Sequence, residues 1–230
     1  MKHTDPQVDR INAALHGLYA PVWEAVVNEL PTDRGLSCPL FLKVQTCYTD
    51  SPRRLMIVGQ QTQLWPPRSQ YGAPLGADPI ARLMDEYVRF DFGADRRGAP
   101  FWRAAHLFRA ASNNGAPRAA LLWSNLIKLD ECGRKPSPPF EAFINRYELL
   151  LEEVRLCRPD VVLFCSGKGY DDRIRAMFKG ALVEPLSAYV ATVRHPELPA
   201  ATYRIPHPNW LQRTKRWNVI DSLVSEMGAS

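Results

Sequence analysis

Short, largely apolar segments recur along the chain and predict buried β-strands. They lie at residues 55–58, 119–127 and 160–165, and further strands are predicted at 188–193 and 201–205. A continuous apolar run is typical of a strand that is covered on both faces, as the strands of parallel sheets are. We therefore expect a central sheet that is mostly parallel.

Between these segments the apolar residues stand three or four positions apart, which predicts amphipathic helices. Ile11, Leu15 and Leu18 show this spacing in the first of them. The predicted helices cover residues 5–30, 78–90, 101–111, 140–157, 170–179 and 209–225. Asn209 is the expected N-cap of the last helix, and residues 60–77, rich in Gly, Pro and Gln, are expected to form a loop. Strands that alternate with helices predict a three-layer α/β/α fold.

Length and composition fit a globular protein with a full hydrophobic core. The chain has 230 residues, of which 46% are hydrophobic and 23% are charged, and these are values of globular domains. We expect residues 51–230 to form one α/β unit. Residues 1–50 are expected to contribute an N-terminal helix and a lead-in that pack on this core.

The sequence favours a cytoplasmic protein without a metal or another cofactor. No apolar run approaches the length of a membrane span, and the first residues contain no apolar signal-peptide region. The five cysteines are scattered, odd in number and never spaced as Cys-x-x-Cys, so neither a zinc site nor a disulfide framework is indicated. No four-cysteine pattern for an iron–sulfur cluster occurs either. We expect a monomer.

Positive charge is concentrated in two segments. Residues 94–118 carry five arginines against Asp95, and residues 194–217 carry four arginines and Lys215 against Glu197. Each segment has a net charge of +4, whereas the whole chain has only +5. Two basic segments on a nearly neutral body could bind a polyanion such as DNA. The alternative is that these arginines are solvated charges on helix faces.

Ligands of parallel α/β sheets bind beyond the carboxyl ends of the strands. The residues at those positions are 59–63, 125–130, 166–168 and 207–209. None of them forms a dinucleotide fingerprint, a P-loop, a nucleophile elbow or a zinc-protease motif. Chemistry on nucleoside triphosphates and zinc-dependent hydrolysis are therefore excluded.

Four of the strand ends carry a resemblance to a known family. Val58-Gly59-Gln60-Gln61-Thr62 resembles motif one of the uracil-DNA glycosylase superfamily, Gly-Gln-Asp-Pro or Gly-x-Asn-Pro, and Pro206-His207-Pro208-Asn209 resembles its motif two, His-Pro-Ser. The segment 121–126 resembles the strand that ends in the base-recognising Asn, and 161–167 resembles the strand before motif two. The order agrees over residues 54–217. A bacterial branch with Gly-Gln-Glu-Thr and His-Pro-Asn, which has no assigned substrate, is a closer match.

The resemblance implies an enzyme that flips a modified or deaminated base out of DNA and hydrolyses its N-glycosidic bond. Gln61 and His207 would then be catalytic. Gln61 falls where active members hold the attacking water with Asp or Asn, but an amide cannot act as a general base. We therefore predict weak or no uracil release. A carboxylate could come from Asp130 or Glu131, although solvated loop charges are the favoured interpretation of both.

The residues around His207 support a role as a hydrogen-bond donor. His207 directly precedes a predicted helix, whose dipole disfavours the imidazolium ion. Pro206 and Pro208 restrict its backbone on both sides. A neutral imidazole in this position can donate to the oxyanion that forms on a departing base. The alternative is a loop histidine that is held between prolines for packing.

The resemblance also implies a set of binding residues. Gly59, Gln60, Trp65, Trp102 and Asn125 would bind the base, and Asn125 offers both an acceptor and a donor to one base edge. Its alternative role is to bond nearby backbone.

The family stacks an aromatic ring on the base, and the candidates for this ring are Trp65, Tyr71, Phe101 and Trp102. Phe101 is expected in the core.

The resemblance also implies contacts with the DNA backbone. The expected residues are Lys168, Asn209, Arg213 and Arg216, with Lys215 beside them. These charges could equally be exposed on helix faces.

Two other functions remain open. A catalytically degenerate member of the family would bind DNA or a free base without cleaving it. A hydrolase of small nucleosides is disfavoured, because a neutral nucleoside needs no basic surface.

Overall fold

The computed structural model describes residues 5–65, 78–116 and 120–228, which form a three-layer α/β/α fold. A six-stranded, mostly parallel sheet is the middle layer, and helices pack on both of its sides. The strands are β1 (Leu55–Gln61), β2 (Leu121–Ile127), β3 (Val161–Phe164), β4 (Leu182–Pro185), β5 (Ala191–Arg194) and β6 (Ala201–Arg204). The fold class predicted from the sequence is confirmed.

The strands are ordered β2–β1–β3–β6–β5–β4 across the sheet. The first four pair in parallel, and β5 and β4 are antiparallel additions at one edge. β2 and β3 are buried along their whole length, as their apolar runs predicted. The sequence did not predict β4, because most of its residues are exposed and no apolar run marks it. The predicted strand at 188–193 begins before the observed β5.

The described ranges contain helices that agree in most positions with the predicted ones. They are α1 (Pro6–Glu29), α2 (Thr46–Thr49), α3 (Pro79–Arg89), α4 (Pro100–Ser112), α5 (Pro138–Asn145), α6 (Leu149–Cys157), α7 (Asp171–Met177), α8 (Pro208–Arg213) and α9 (Asn218–Gly228). Short 3-10 helices add Asp91–Arg96 and Lys168–Tyr170.

Two predicted helices are each interrupted. The segment 140–157 is divided between α5 and α6, where Glu148 has a left-handed backbone with φ of 49°. The final helix is divided between α8 and α9, with Lys215 at φ of 57°. A residue with a left-handed backbone cannot continue a right-handed helix, whereas the helices on both sides of it still bury apolar residues. Hydrophobic spacing alone therefore does not reveal the break.

The helices form two layers. On one side α1 packs against α6 and α3, and on the other α4 packs against α8 and α9. Asp5 caps α1 by accepting the Gln7 N–H at 2.8 Å, and Asp78 caps α3 by accepting the Ala81 N–H at 2.9 Å. Within the described ranges, no helix combines the length and the apolar character that a membrane span requires.

A buried ion pair joins the first of these layers to the sheet. Glu153 of α6 pairs with Lys128, which follows β2, and both side chains are at most 3% exposed. The hydroxyls of Ser124 and Tyr19 each donate to a Glu153 oxygen at 2.9 Å. Burial lowers the pKa of the Lys128 amine, although the charge of Glu153 acts in the opposite direction. This cluster connects α1, α6 and β2.

β4 is the outermost strand at its edge of the sheet. Leu182 on this strand is 57% exposed, and Leu186 just beyond it is 58% exposed. Glu184 forms an ion pair with Arg194 of β5 at 2.9 Å. Pro185 ends the strand and has no N–H group to donate.

Candidate functional site

A pocket of about 410 Å³ opens at the carboxyl ends of β1 and β2. Its floor is formed by strand residues, and its walls come from the start of α4, the end of α3 and the loop before α8. The volume lies in the range of ordinary small-molecule sites. Of the binding and catalytic residues predicted from sequence, those that line it are Gly59, Gln60, Gln61, Trp65, Trp102, Asn125, His207 and Asn209.

Gly59 and Asn125 face each other on the pocket floor. They are register partners in the parallel pairing of β1 with β2. A Cβ atom at position 59 would lie 2.3 Å from Asn125 Oδ1, which is far inside van der Waals contact. Only glycine at this position leaves room for the Asn125 amide.

The amide of Asn125 has one partnered end and one unpartnered end. Trp123 Nε1 donates to Oδ1 at 3.3 Å. The Nδ2 atom is buried, and no hydrogen-bond partner for it occurs among the described residues. An unsatisfied buried donor is costly, so its presence in a pocket wall points to a ligand acceptor. Asn125 does not bond nearby backbone as the alternative interpretation supposed.

His207 stands at the junction of the pocket and α8. It is the N-cap of this helix, and its Nδ1 accepts the Asn209 N–H at 3.3 Å. The predicted cap at Asn209 is therefore wrong by two positions. Because Nδ1 accepts, the proton of the neutral ring resides on Nε2. Burial lowers the pKa of His207 from 6.5 to about 4, so the ring is neutral at physiological pH.

Phe101 contributes to the site and does not lie deep in the core. Its ring stacks on the His207 imidazole, with centroids 5.5 Å apart and planes 23° from parallel. It also lies 3.5 Å from the position that a Gly59 Cβ would occupy. The expectation that Phe101 is a core residue fails because α4 starts at the pocket, so its first side chains face the opening.

Aromatic rings form the remaining wall of the pocket. Phe90 and Trp123 contact each other and both Trp65 and Trp102, with ring centroids 5.1 to 5.7 Å apart. Trp65 and Trp102 are each 6% exposed, so they are held firmly in place. Sequence reasoning singled out Trp65 and Trp102 but missed Phe90 and Trp123. Tyr71 lies outside the described residues.

The two glutamines of β1 hold the strand ends together. The loop predicted at residues 60–77 begins only after Gln61, because β1 continues through that residue. Gln60 Nε2 donates to the carbonyl of Ser166 at 2.7 Å, and the hydroxyl of Tyr170 donates to Gln61 Oε1 at 3.0 Å. An amide oxygen that accepts in this way can orient a water molecule but cannot deprotonate it. Tyr170 was missed, because it lies two residues beyond the strand-end segment 166–168 and was predicted to begin a helix.

Asp130 is a structural residue. The interpretation as a solvated loop charge is wrong for it, because it is only 2% exposed. Its two oxygens accept the backbone N–H groups of Trp65 at 3.3 Å and Gly133 at 2.7 Å. Asp130 therefore shapes the loop after β1, where Trp65 enters the pocket wall.

The pocket is poor in carboxylates. Glu131 accepts the Ser137 N–H at 2.9 Å and does not line the pocket. Among the lining residues that the structure describes, Glu86 is the one carboxylate. It pairs with Arg89 at 3.2 Å. Position 61, at the end of β1, carries an amide and not a carboxylate.

The predicted DNA-backbone residues all lie on the surface. Lys168, Asn209, Arg213 and Arg216 are exposed, and Asn209 also reaches the pocket rim. The guanidinium of Arg216 lies 5.1 Å from the centre of the Tyr189 ring.

In the second basic segment, residues 194–217, fewer arginines are available to bind a polyanion than the net charge suggested. Arg204 forms a buried ion pair with Asp171, and Arg194 pairs with Glu184. Arg204 is a buried structural residue, and the charge of the exposed Arg194 is balanced by Glu184, so the segment offers fewer charges to a polyanion than its net charge of +4 implied.

Part of the first basic segment borders the same opening. Arg96 lines the pocket and lies over the Phe90 ring at 6.0 Å. Arg103 lies 4.5 Å from the centre of the Trp217 ring. Arg118 is outside the described residues. Positive charge thus reaches the pocket lining through Arg96, at the end of the 3-10 helix before α4.

Comparison with protein families gives one finding. The family model of the uracil DNA glycosylase superfamily matches residues 75–224, which is more than half of the chain. The match includes Asn125 and His207 and begins after β1. No curated protein matches the chain.

Proposed function

Since this chain belongs to the uracil-DNA glycosylase superfamily, we propose that it is a DNA glycosylase. It binds a flipped, modified or deaminated base in the pocket and hydrolyses the N-glycosidic bond. The observation that carries the proposal is the Asn125 amide, whose buried Nδ2 has no partner among the described residues and faces an aromatic pocket that also contains a neutral histidine.

The chemistry assigns a role to each group. The bond between C1′ and the base nitrogen breaks, the electron pair leaves with the base, and a water oxygen adds to C1′. Asn125 Nδ2 donates to a carbonyl of the base, and the aromatic wall covers the base faces. The Nε2–H of His207 donates to the oxygen on which negative charge develops. Gln61 orients the water without taking its proton, so the added water loses that proton to solvent, and the departing base anion takes up a proton from solvent.

The direct test is mass spectrometry of the bases released from duplex and single-stranded DNAs, each containing one modified or deaminated base. We expect release of at least one keto base, and loss of that release in Asn125→Ala. Release from free nucleosides but from no DNA would contradict the proposal. A protein that binds these DNAs and releases nothing would support the alternative of a binding-only member.

One observation favours that alternative. By its resemblance to motif one, Gln61 stands in place of the water-holding Asp or Asn, and its oxygen already accepts from Tyr170. The described pocket lining contains no carboxylate besides Glu86. A binding-only protein would keep Asn125 and the aromatic wall, because these groups serve affinity for the base and do not depend on water.

Gln61→Asp should raise any base release by up to about 10²-fold, the lower end of what a positioned general base contributes. A carboxylate at this position can accept a proton from water. Single-turnover rates on the best substrate measure the effect. Gln63→Asp is the matched control, since Gln63 is an exposed pocket residue two positions away. Equal rates in native protein and Gln61→Asp would show that the end of β1 does not hold the water.

Binding to single-stranded DNA should weaken steeply as salt increases, since phosphate contacts release counterions. Replacing Lys168, Arg213 or Arg216 with alanine should each reduce the slope of log affinity against log salt by about 1. Arg194→Ala is the control, because that arginine pairs with Glu184 and should leave the slope unchanged. Fluorescence anisotropy over a salt series measures the slopes. Affinity that does not respond to salt would mean that these cations are only solvated.

A further inference from the structure

We propose that Trp123 is a specificity-determining residue that fixes the orientation of the Asn125 amide. Its indole N–H holds Oδ1, so the amide turns its unpartnered NH2 group toward a base edge. The pocket thereby selects bases with a carbonyl at that edge over bases with an amino group. This inference rests on the proposed function, because it assumes that a base occupies the pocket.

The geometry of the pair supports a fixed orientation. Trp123 and Asn125 are two residues apart on β2, so their side chains lie on the same face of the sheet. Nε1 and Oδ1 are 3.3 Å apart, and Asn125 is 1% exposed. An indole nitrogen can only donate. Turning the amide over would place its NH2 group against the indole N–H and bury two donors together.

The indole itself cannot move aside. Trp123 packs edge-on against Trp65 at 5.5 Å and Trp102 at 5.1 Å, and Tyr87 stacks on it at 6.4 Å. The Tyr87 hydroxyl also bonds the backbone N–H and carbonyl of Trp123 at 2.8 Å and 3.1 Å. Ring and backbone are therefore both held. The missing Cβ of Gly59 leaves the space in which Oδ1 sits.

The chemical consequence is selection by hydrogen-bond type. The Nδ2 donor pairs with a carbonyl oxygen, whereas an exocyclic amino group would meet it donor to donor. Deamination replaces an exocyclic amino group with a carbonyl, so the locked amide distinguishes the damaged base from its parent. Without the indole N–H the amide could turn and offer Oδ1 to an amino group instead.

Trp123→Phe tests the inference, because phenylalanine keeps an aromatic ring and removes the N–H. The ratio of uracil affinity to cytosine affinity, measured with the free bases by calorimetry, should fall roughly tenfold or more. Trp23→Phe is the matched control, since Trp23 is a buried tryptophan of α1 that does not line the pocket. That variant should keep the native ratio.

An unchanged ratio in Trp123→Phe, or an equal fall in both variants, would overturn the inference. Neutron diffraction from crystals of the free protein gives an independent readout, because it locates the deuterium atoms on Asn125. Deuterium on the atom that faces Trp123 would also overturn it. If the native protein neither binds nor releases a base, the proposed function fails, while the neutron result still decides the orientation.

Discussion

Replacing His207 with alanine should lower the single-turnover rate of base release by roughly two to three powers of ten. The neutral ring has its proton on Nε2, because Nδ1 accepts the Asn209 N–H. It lines the same pocket as Asn125 and is stacked on Phe101. Removing a preorganised donor to a developing oxyanion has an effect of this size. Single-turnover release from the best DNA substrate measures the loss.

Two comparisons separate catalysis from packing. His207→Gln retains a donor and should have an intermediate rate. The alanine variant should melt at nearly the native temperature, because His207 is only partly buried and its one hydrogen bond spans two residues. A packing role would instead lower the melting temperature, and a binding-only protein would show no rate to lose. Full activity in well-folded His207→Ala protein would remove the catalytic assignment.

The pH profile follows from the lowered pKa of His207. Burial places the pKa near 4, so this residue should cause no change in rate between pH 7 and pH 5. An ordinary histidine would protonate near pH 6.5 within that range. The unfolded chain takes up the proton near pH 6.5 and the folded chain only near pH 4. This residue therefore lowers the free energy of unfolding as the pH falls between those values, and His207→Ala should reduce that slope.

Lys128→Met should lower the free energy of unfolding by about 3–5 kcal/mol. The substitution leaves Glu153 fully buried and without its cation, while Ser124 and Tyr19 remain as hydroxyl donors. The free-energy cost of keeping an unpaired carboxylate away from water is larger than the stabilisation from the hydrogen bonds of the two hydroxyls. Urea denaturation followed by circular dichroism measures the difference.

Lys179→Met is the matched control for that variant. Lys179 also pairs with a glutamate, at 2.7 Å from Glu148, but its side chain is 79% exposed. Solvated pairs contribute little, so this variant should remain close to native stability. The double variant Lys128→Met/Glu153→Met should be less destabilised than Lys128→Met alone, since no buried charge is left. Equal losses in Lys128→Met and Lys179→Met would contradict the account of the buried pair.

The strand ends could be predicted from sequence because parallel sheets place their ligands there. The apolar runs located β1, β2 and β3, and the polar residues that follow or end them include Gln61 and Asn125. Gly59 could be selected from its motif, but the reason for glycine became clear only from the register with Asn125. Pairing between distant strands is not encoded in local spacing.

Other parts of the site depend on tertiary packing. Phe90 and Trp123 look like ordinary core residues in the sequence, since one ends a helix and the other lies in an apolar strand. Tyr170 reaches Gln61 across 109 positions of the chain. His207 caps α8 through a ring nitrogen that accepts the N–H of a residue two positions later. Histidine is not among the residues preferred at helix N-caps, so residue preferences did not point to it.

The outer edge of β4 bears on how the protein behaves at high concentration. An unpaired strand edge is a template on which a second chain can add a strand, and exposed Leu182 and Leu186 would stabilise such an addition. Pro185 cannot donate to an incoming strand, and Glu184 places a charge beside the leucines. These two residues act as gatekeepers against aggregation. Pro185→Val combined with Glu184→Val would therefore turn this edge into a site of self-association.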